Sequence, residues 1–257
     1  MAVTPANGAK PNAAGIIGGR NPVIEALKSG RPINKVLLAH NIKQHSTIAE
    51  ILYLSKARKI PVEYVTKDVI DRLSTTTVHQ GVIAYVAVRE YVTLIDLLAI
   101  SKERNEPPLY CILDGIEDPQ NLGAIIRTAD ASGVHGVIVP SRRAAGLTAG
   151  VAKASAGAVE YVPVARVSNL SQTIETLKKS NIWVIGIDPT GKSDYTKVDF
   201  SLPTAITIGS EGRGLSHLVK ERCDYLASIP MRGKITSLNA SIAAALVMYE
   251  AFRQRGW

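Results

Sequence analysis

The stretch Ile229–Arg253, IPMRGKITSLNASIAAALVMYEAFR, joins three different physical demands. A short apolar run, Ile229 to Met231, ends at Arg232 and Lys234 around Gly233, where the backbone must turn. Thr236, Ser237 and Asn239 follow, and any of them offers a side-chain oxygen to the free N–H groups that open a helix. From Ile242 onward, Leu246, Tyr249 and Phe252 recur at helical spacing, which predicts a helix burying that stripe. The segment therefore reads as strand end, polar loop and buried helix, and it gains meaning from two similar loops upstream.

The first is Asp114 to Ala129, DGIEDPQNLGAIIRTA, directly after the apolar run Leu109 to Leu113. Pro119 breaks the chain, Asn121 is a candidate cap and Gly123 keeps the surface open. Arg127 lies two turns into the following helix, where a guanidinium can fork two hydrogen bonds onto a phosphate. A surface ion pair is the equally simple reading of that arginine, and Asp114, Glu117 and Asp118 read as charge matching at a helix start. The second loop is Ile208 to Leu215, IGSEGRGL. Its glycines, Gly209, Gly212 and Gly214, match neither a Walker loop nor GxGxxG, yet permit close backbone approach to a ligand. Glu211 within that turn either accepts hydrogen bonds from a ligand or caps the helix beyond.

Further apolar runs fall at Gly136 to Val139, Tyr161 to Val164, Trp183 to Ile187, Ala205 to Ile208 and Tyr225 to Ile229, alternating with helical segments. This pattern predicts an α/β fold with a parallel sheet covered on both faces. Ligands of such sheets bind beyond the carboxyl ends of the strands, so three polar loops at one edge form one pocket.

In front lies a smaller α/β layer. Gly18 to Gly30 predicts a helix with Asn21 as cap, Pro22 at its first position and Gly30 past its end. Strands follow at Ile33 to Ala39, Val62 to Val65 and Gly81 to Val88, with a helix at Ile48 to Ala57. Tyr53, Tyr64, Tyr85 and Tyr91 fit no RNA-recognition-motif pattern and read as packing. Ser101 to Pro108, SKERNEPP, reads as linker. The expected division is a tail over 1–15, a front domain over 16–90, a linker over 91–107 and a main domain over 108–257.

The 30 Lys and Arg exceed the 22 Asp and Glu by eight, which favours an anionic partner such as nucleic acid. Residues 1–107 carry five of that excess. Cys111 and Cys223 have neither disulfide-framework nor metal-ligand spacing, so no metal is expected and a reducing cytoplasm is the expected location. No apolar run reaches the roughly 20 residues of a membrane span.

Three motifs in order, DPQNLGAIIRTA (118–129), IGSEGRGLS (208–216) and IPMRGKITSLNAS (229–241), with KASAGAVEYVPV (153–164) between them, resemble the SpoU/TrmH branch of the SPOUT RNA methyltransferases. IIGGRNPVIEAL resembles the substrate-binding domain preceding the catalytic domain of the ribosomal RNA members. Two positions depart from the pattern: Asn21, where His is frequent, and Ala240, where Val is common.

The resemblance implies a C-terminal trefoil knot in the 108–257 catalytic domain, behind a small ribosomal-protein-like α/β RNA-binding domain. It implies S-adenosylmethionine as cofactor, contacted at Gly209, Ile229, Leu238, Asn239 and Ala240. The implied reaction methylates a ribose 2′-hydroxyl, with guanosine of 23S rRNA as expected target. Arg127 helps deprotonate the hydroxyl, Asn121 and Glu211 arrange the site, and Ser237 and Asn239 position substrate and cofactor. An arginine pKa above about 12 makes it a poor general base, which leaves Glu211 as an alternative. A homodimer joined through catalytic domains is also implied. Arg142, Arg143, Lys192, Arg232 and Lys234 are the candidate RNA contacts.

Three other readings compete. A transfer RNA enzyme of the same chemistry would lack the front domain of the ribosomal RNA subgroup. A non-enzymatic RNA-binding or ribosome-assembly factor would not need Arg127, Glu211 and Asn239. A nicotinamide enzyme would carry the GxGxxG that is missing here.

Overall fold

Four consecutive buried residues, Val36 to Ala39, anchor the first layer on both of its faces. In a computed structural model describing residues 14–42, 46–74, 78–87 and 89–256, the chain divides into two compact units at Arg89/Glu90.

The first unit contains β1 (Ala14–Gly18), α1 (Arg20–Lys28), β2 (Ile33–Ala39), α2 (Ser46–Ala57), β3 (Val62–Val65), α3 (Lys67–Leu73) and β4 (Val82–Ala87). Its sheet runs β1-β4-β2-β3, with β4 antiparallel to β1 and β2, and β3 parallel to β2. Leu37 and Ala39 pack with Ile70 of α3 and Ile83 of β4. The alternate residues Val36 and Leu38, equally buried, point to the opposite face. Arg58 closes α1 by donating to the carbonyls of Leu27 and Arg31, both at 2.7 Å, placing a cation at the helix's negative end.

Several expectations shift here. The tail ends earlier than expected, because Ala14 and Gly15 already pair with Ala87 and Val86; residues 1–13 lie outside the described residues. Helix α1 starts one turn-position early, with Gly19 rather than Asn21 as cap. The φ of Gly19 is 111°, a conformation that side chains disfavour. Gly30 does end the helix, with φ 79°.

The second unit contains α4 (Leu94–Arg104), β5 (Leu109–Asp114), α5 (Pro119–Ala131), β6 (Gly136–Pro140), α6 (Ala149–Ala154), β7 (Val164–Val167), α7 (Leu170–Lys179), β8 (Trp183–Ile187), β9 (Ser193–Asp194), β10 (Thr204–Gly209), α8 (His217–Arg222), β11 (Tyr225–Ser228) and α9 (Ala240–Arg255). The seven strands form one parallel sheet in the order β7-β6-β5-β10-β8-β11-β9. Tyr110, Ile112, Ile138, Ile174, Leu177 and Val184 lie in its core.

The segment expected as linker, 91–107, mostly forms α4. Thr93 and Asp96 close its start as a capping box. Leu97 is fully buried in the second core, and the Ser101 hydroxyl lies 2.9 Å from that of Tyr110. The strand expected at Tyr161 to Val164 runs instead from Val164, because Ala158–Glu160 coils into a 3-10 turn first. The last strand ends at Ser228, so Ile229 to Met231 is already loop.

Helix α9 buries the face opposite to the expected one. Ala240, Ala244, Val247, Met248 and Ala251 point inward, and their small side chains allow close packing. Ile242, Leu246 and Tyr249 remain 51%, 38% and 44% exposed. Among the described residues no helix is long and apolar enough to cross a membrane, and no cluster of His, Cys, Asp and Glu is placed to hold a metal.

Candidate active site

Four strands of the second sheet finish at one level. Gly209 of β10 pairs with Asp114 of β5, and Ile208 and Ala227 both align with Ile187 of β8. With neighbouring strands about 4.8 Å apart, the ends of β5, β10, β8 and β11 form a continuous rim, the edge at which parallel sheets bind ligands.

At the centre of that rim the chain leaves β10 in a closed turn. Ser210 N–H donates to the Gly214 carbonyl at 3.1 Å, and Gly214 N–H to the Ser210 carbonyl at 2.8 Å. A β-carbon on Gly209 would stand 2.1 Å from the carbonyl carbon of Gly214 and 2.3 Å from Leu215 N. Only glycine lets the two backbone segments lie so close. The Asp114 carboxylate accepts from Ser216 N–H at 2.7 Å and ties the far end of this loop to β5. Glu211 is thereby held, exposed, at the tip of the turn.

Helix α5 enters from β5. Asp118 caps it, accepting from Gln120 N–H at 2.9 Å, with Pro119 at the first position. The cap is therefore Asp118, not Asn121, and the Asn121 amide is left for other work. Gly123 does not keep a surface open as expected. It is buried, and a β-carbon there would lie 2.3 Å from that of Ala154 in α6. Arg127 is exposed and has no hydrogen-bond or ion-pair partner among the described residues.

Helix α9 completes the arrangement. Of the three candidate caps, Asn239 acts, its side-chain oxygen accepting from Ser241 N–H at 2.9 Å and Ile242 N–H at 3.3 Å. Its amide nitrogen donates to Asn121 Oδ1 at 3.0 Å and to Glu211 Oε1. That same carboxylate oxygen accepts from Asn121 Nδ2 at 3.0 Å and from Ala240 N–H at 3.3 Å. Three loops are thus locked by one carboxylate and two amides, with the negative charge at the positive end of α9.

No hydrogen bond ties the remaining candidates to this triad among the described residues. Ser237 is exposed; Ile229 and Leu238 are half-buried; Arg142, Arg143, Lys192, Arg232 and Lys234 are all exposed. Arg143 adopts a left-handed conformation, φ 55°.

Asp188, absent from the candidates, belongs to the same rim. It follows β8 directly, is 4% exposed and meets Lys220 Nζ at 2.8 Å and the Thr190 hydroxyl at 2.6 Å. Burial works to raise its carboxyl pKa, but the Lys220 ammonium and the Thr190 donors prevail and hold it below the usual value. A lone aspartate ending the apolar run WVIGI was the available signal. Neither cysteine is activated: burial raises the Cys111 thiol and pushes Cys223 up to about 11, so both stay protonated near neutrality.

Two family models match this chain. The SpoU rRNA methylase family covers residues 108–249, and RNA 2′-O ribose methyltransferase substrate binding covers residues 16–92. A Bacillus subtilis protein, YacO, assigned to the TrmH-family tRNA/rRNA methyltransferases, is 50% identical over 92% of this chain and 94% of its own. The SpoU methyltransferase AviRb of Streptomyces viridochromogenes, solved with AdoMet, superposes with a TM-score of 0.78 at 29% identity, covering 93% of this chain and 90% of its own. An AdoMet-bound rRNA methyltransferase from Sinorhizobium meliloti gives 0.76 at 27% identity, covering 93% and 87%. With both of its units matched and half its residues shared with a full-length relative, the chain belongs to the SpoU rRNA methylase family.

Proposed function

We propose that this protein methylates a ribose 2′-hydroxyl in RNA, most specifically a guanosine of 23S rRNA, using S-adenosylmethionine. The observation that carries the reading is the Asn121–Glu211–Asn239 lock beside an unpaired, exposed Arg127.

The rim fits the cofactor. Gly209 ends β10 and Ile229 lies just beyond β11, the two strands that flank β8, so roughly 10 Å separates them. Half-buried Ile229 and Leu238 offer apolar surface suited to adenine, and the backbone at Gly209, Asn239 and Ala240 supplies polar edges. When bound, the cofactor supplies an electrophilic methyl group on a sulfonium. The chain's residues orient the reactants. Glu211 Oε1 is occupied by three donors and acts as the clamp between loops, while its second oxygen keeps Glu211 as the alternative base. Arg127 retains its five guanidinium donors for an RNA phosphate next to the hydroxyl, and the phosphate held there supplies part of the basicity that draws off the proton. Ser237 and the Asn239 side positions hold substrate and cofactor against each other. Arg142, Arg143, Arg232 and Lys234 contact phosphates along the same edge.

The 108–257 domain is read as a trefoil-knotted SPOUT domain and 16–90 as the RNA-binding domain. The route of 229–239 from β11 back to α9, over the carboxyl rim, supports the knot. The exposed stripe Ile242, Leu246 and Tyr249 supports a homodimer through the catalytic domains. Two free thiols suit the cytoplasm.

The test is transfer of labelled methyl groups from S-adenosylmethionine to protein-free 23S rRNA, followed by nuclease digestion. Labelled 2′-O-methylguanosine is the expected product, and label on a base overturns the reading. Label on transfer RNA alone selects the second reading, with which the tRNA/rRNA assignment of the Bacillus subtilis relative is equally consistent.

A further inference from the structure

Tyr64 and His40 are exposed on the edge strand of the first unit and just beyond its neighbour, at 49% for Tyr64. Their rings lie 6.3 Å apart between centroids with planes 25° from parallel. His40 N–H is fixed to the Val65 carbonyl at 2.9 Å, so the backbone, not crystal-like side-chain packing, sets the pair.

The register shows what else shares that end of the sheet. Gly18 pairs with Ile83, Leu38 with Val82 and Leu38 with Tyr64. The ends of β1 and β2, the start of β4 and the end of β3 therefore form one row spanning about 15 Å. Arg20 follows β1 directly, its N–H donating to Gln80 Oε1 at 3.1 Å. Its guanidinium Nε is buried without a hydrogen-bond partner while the residue is partly exposed, so an acceptor from outside meets the guanidinium at its terminal nitrogens. Lys67 starts α3 two residues past Val65. Residues 16–92 carry 11 Lys and Arg against 6 Asp and Glu.

We infer that this end of the sheet binds a single-stranded RNA segment, with an unpaired base stacked on the His40–Tyr64 rings and a phosphate about two nucleotides further along the strand, across the width of the sheet, taken by Arg20. Aromatic faces recognise unpaired bases, since paired bases in a duplex present no free face. The terminal nitrogens of the Arg20 guanidinium supply the phosphate contact. The site rests on reading 16–90 as the RNA-binding domain, and it names the nucleotide class that domain takes.

The experiment measures binding of the full chain to a fluorescein-labelled 12-nucleotide RNA of mixed sequence, and to a blunt duplex of equal length, across a salt series. Tyr64→Ala and His40→Ala should each weaken single-strand binding about tenfold, leave duplex binding and the salt slope unchanged, and leave the melting temperature and S-adenosylmethionine affinity intact. Tyr64→Phe should bind as the parent does. Arg20→Ala should lower the salt slope by about one. Steep salt-dependent binding by the parent with Tyr64→Ala and His40→Ala equal to it overturns the stacking site and leaves RNA binding standing. No binding by the parent overturns both.

Discussion

The amide of Asn239 donates to the side-chain oxygen of Asn121, 3.0 Å away across 118 residues of sequence. One residue therefore caps α9 and ties it to the first turn of α5. Replacing it by alanine removes both. Asn239→Ala should lose about 1–2 kcal/mol of stability from the cap and most of its methyl transfer. Asn239→Asp keeps the cap acceptor but sets a carboxylate against Glu211, so it should regain stability less than its capping rank suggests and no activity. Thermal denaturation alongside a turnover assay separates the two effects.

Arg127 is exposed and makes no hydrogen bond or ion pair among the described residues. Arg127→Ala should abolish turnover while shifting stability by no more than about 0.5 kcal/mol and leaving cofactor affinity close to the parent's by calorimetry. Equal loss of turnover and affinity would place it in the cofactor pocket.

Two glycines of one loop should behave differently. Gly209→Ala drives a β-carbon into the Gly214 backbone, which must move; a loss of about 1–3 kcal/mol and weaker cofactor binding are expected. Gly212 meets nothing within 4 Å but has φ 78°, so Gly212→Ala should cost only the left-handed strain of about 1–2 kcal/mol. Denaturant midpoints of both variants decide this.

Asp188 gives a pH signature. Its folded pKa lies below the unfolded value near 3.9, so its stabilisation is present above about pH 4 and is lost as pH falls toward the folded value. Asp188→Asn should be less stable at pH 7 and show a flatter decline on acidification below about pH 5. Parallel decline of both proteins would sink the assignment.

Leu246→Lys, on the exposed stripe of α9, should convert a dimer to a monomer by light scattering without lowering the monomer's intrinsic stability by more than about 0.5 kcal/mol. A parent that is already monomeric at micromolar concentration contradicts the dimer reading.

Much of the architecture was legible: β8 announces itself as the apolar run of a buried parallel strand, and β2 and β3 also have the expected bounds. The misses share a cause. Helix α4 was hidden because its charged C-terminal end, SKER, resembles a linker, although the Thr93/Asp96 capping box was readable. The α9 face was inverted because bulk was taken for burial, whereas close packing selects Ala244 and Ala251. At the site, the motif residues Asn121, Glu211 and Asn239 could be named from sequence. Their mutual bonds could not, since a side-chain lock depends on where three distant backbones end. The cap shows this: Asp118 and Asn121 are both good caps, and only geometry assigns Asp118 to α5 and frees Asn121.

The double duty of Asn239 also couples assembly to activity. The lock draws on loops that follow β5, β10 and β11, segments separated by 90 and 118 residues along the chain. The lock requires the sheet, because its three segments are brought together only where the ends of β5, β10 and β11 lie at one rim. A chain with a complete sheet but an undocked α9 would therefore hold every motif and no site. Methyl transfer becomes a stringent reporter of the finished fold, insensitive to how much secondary structure has already formed.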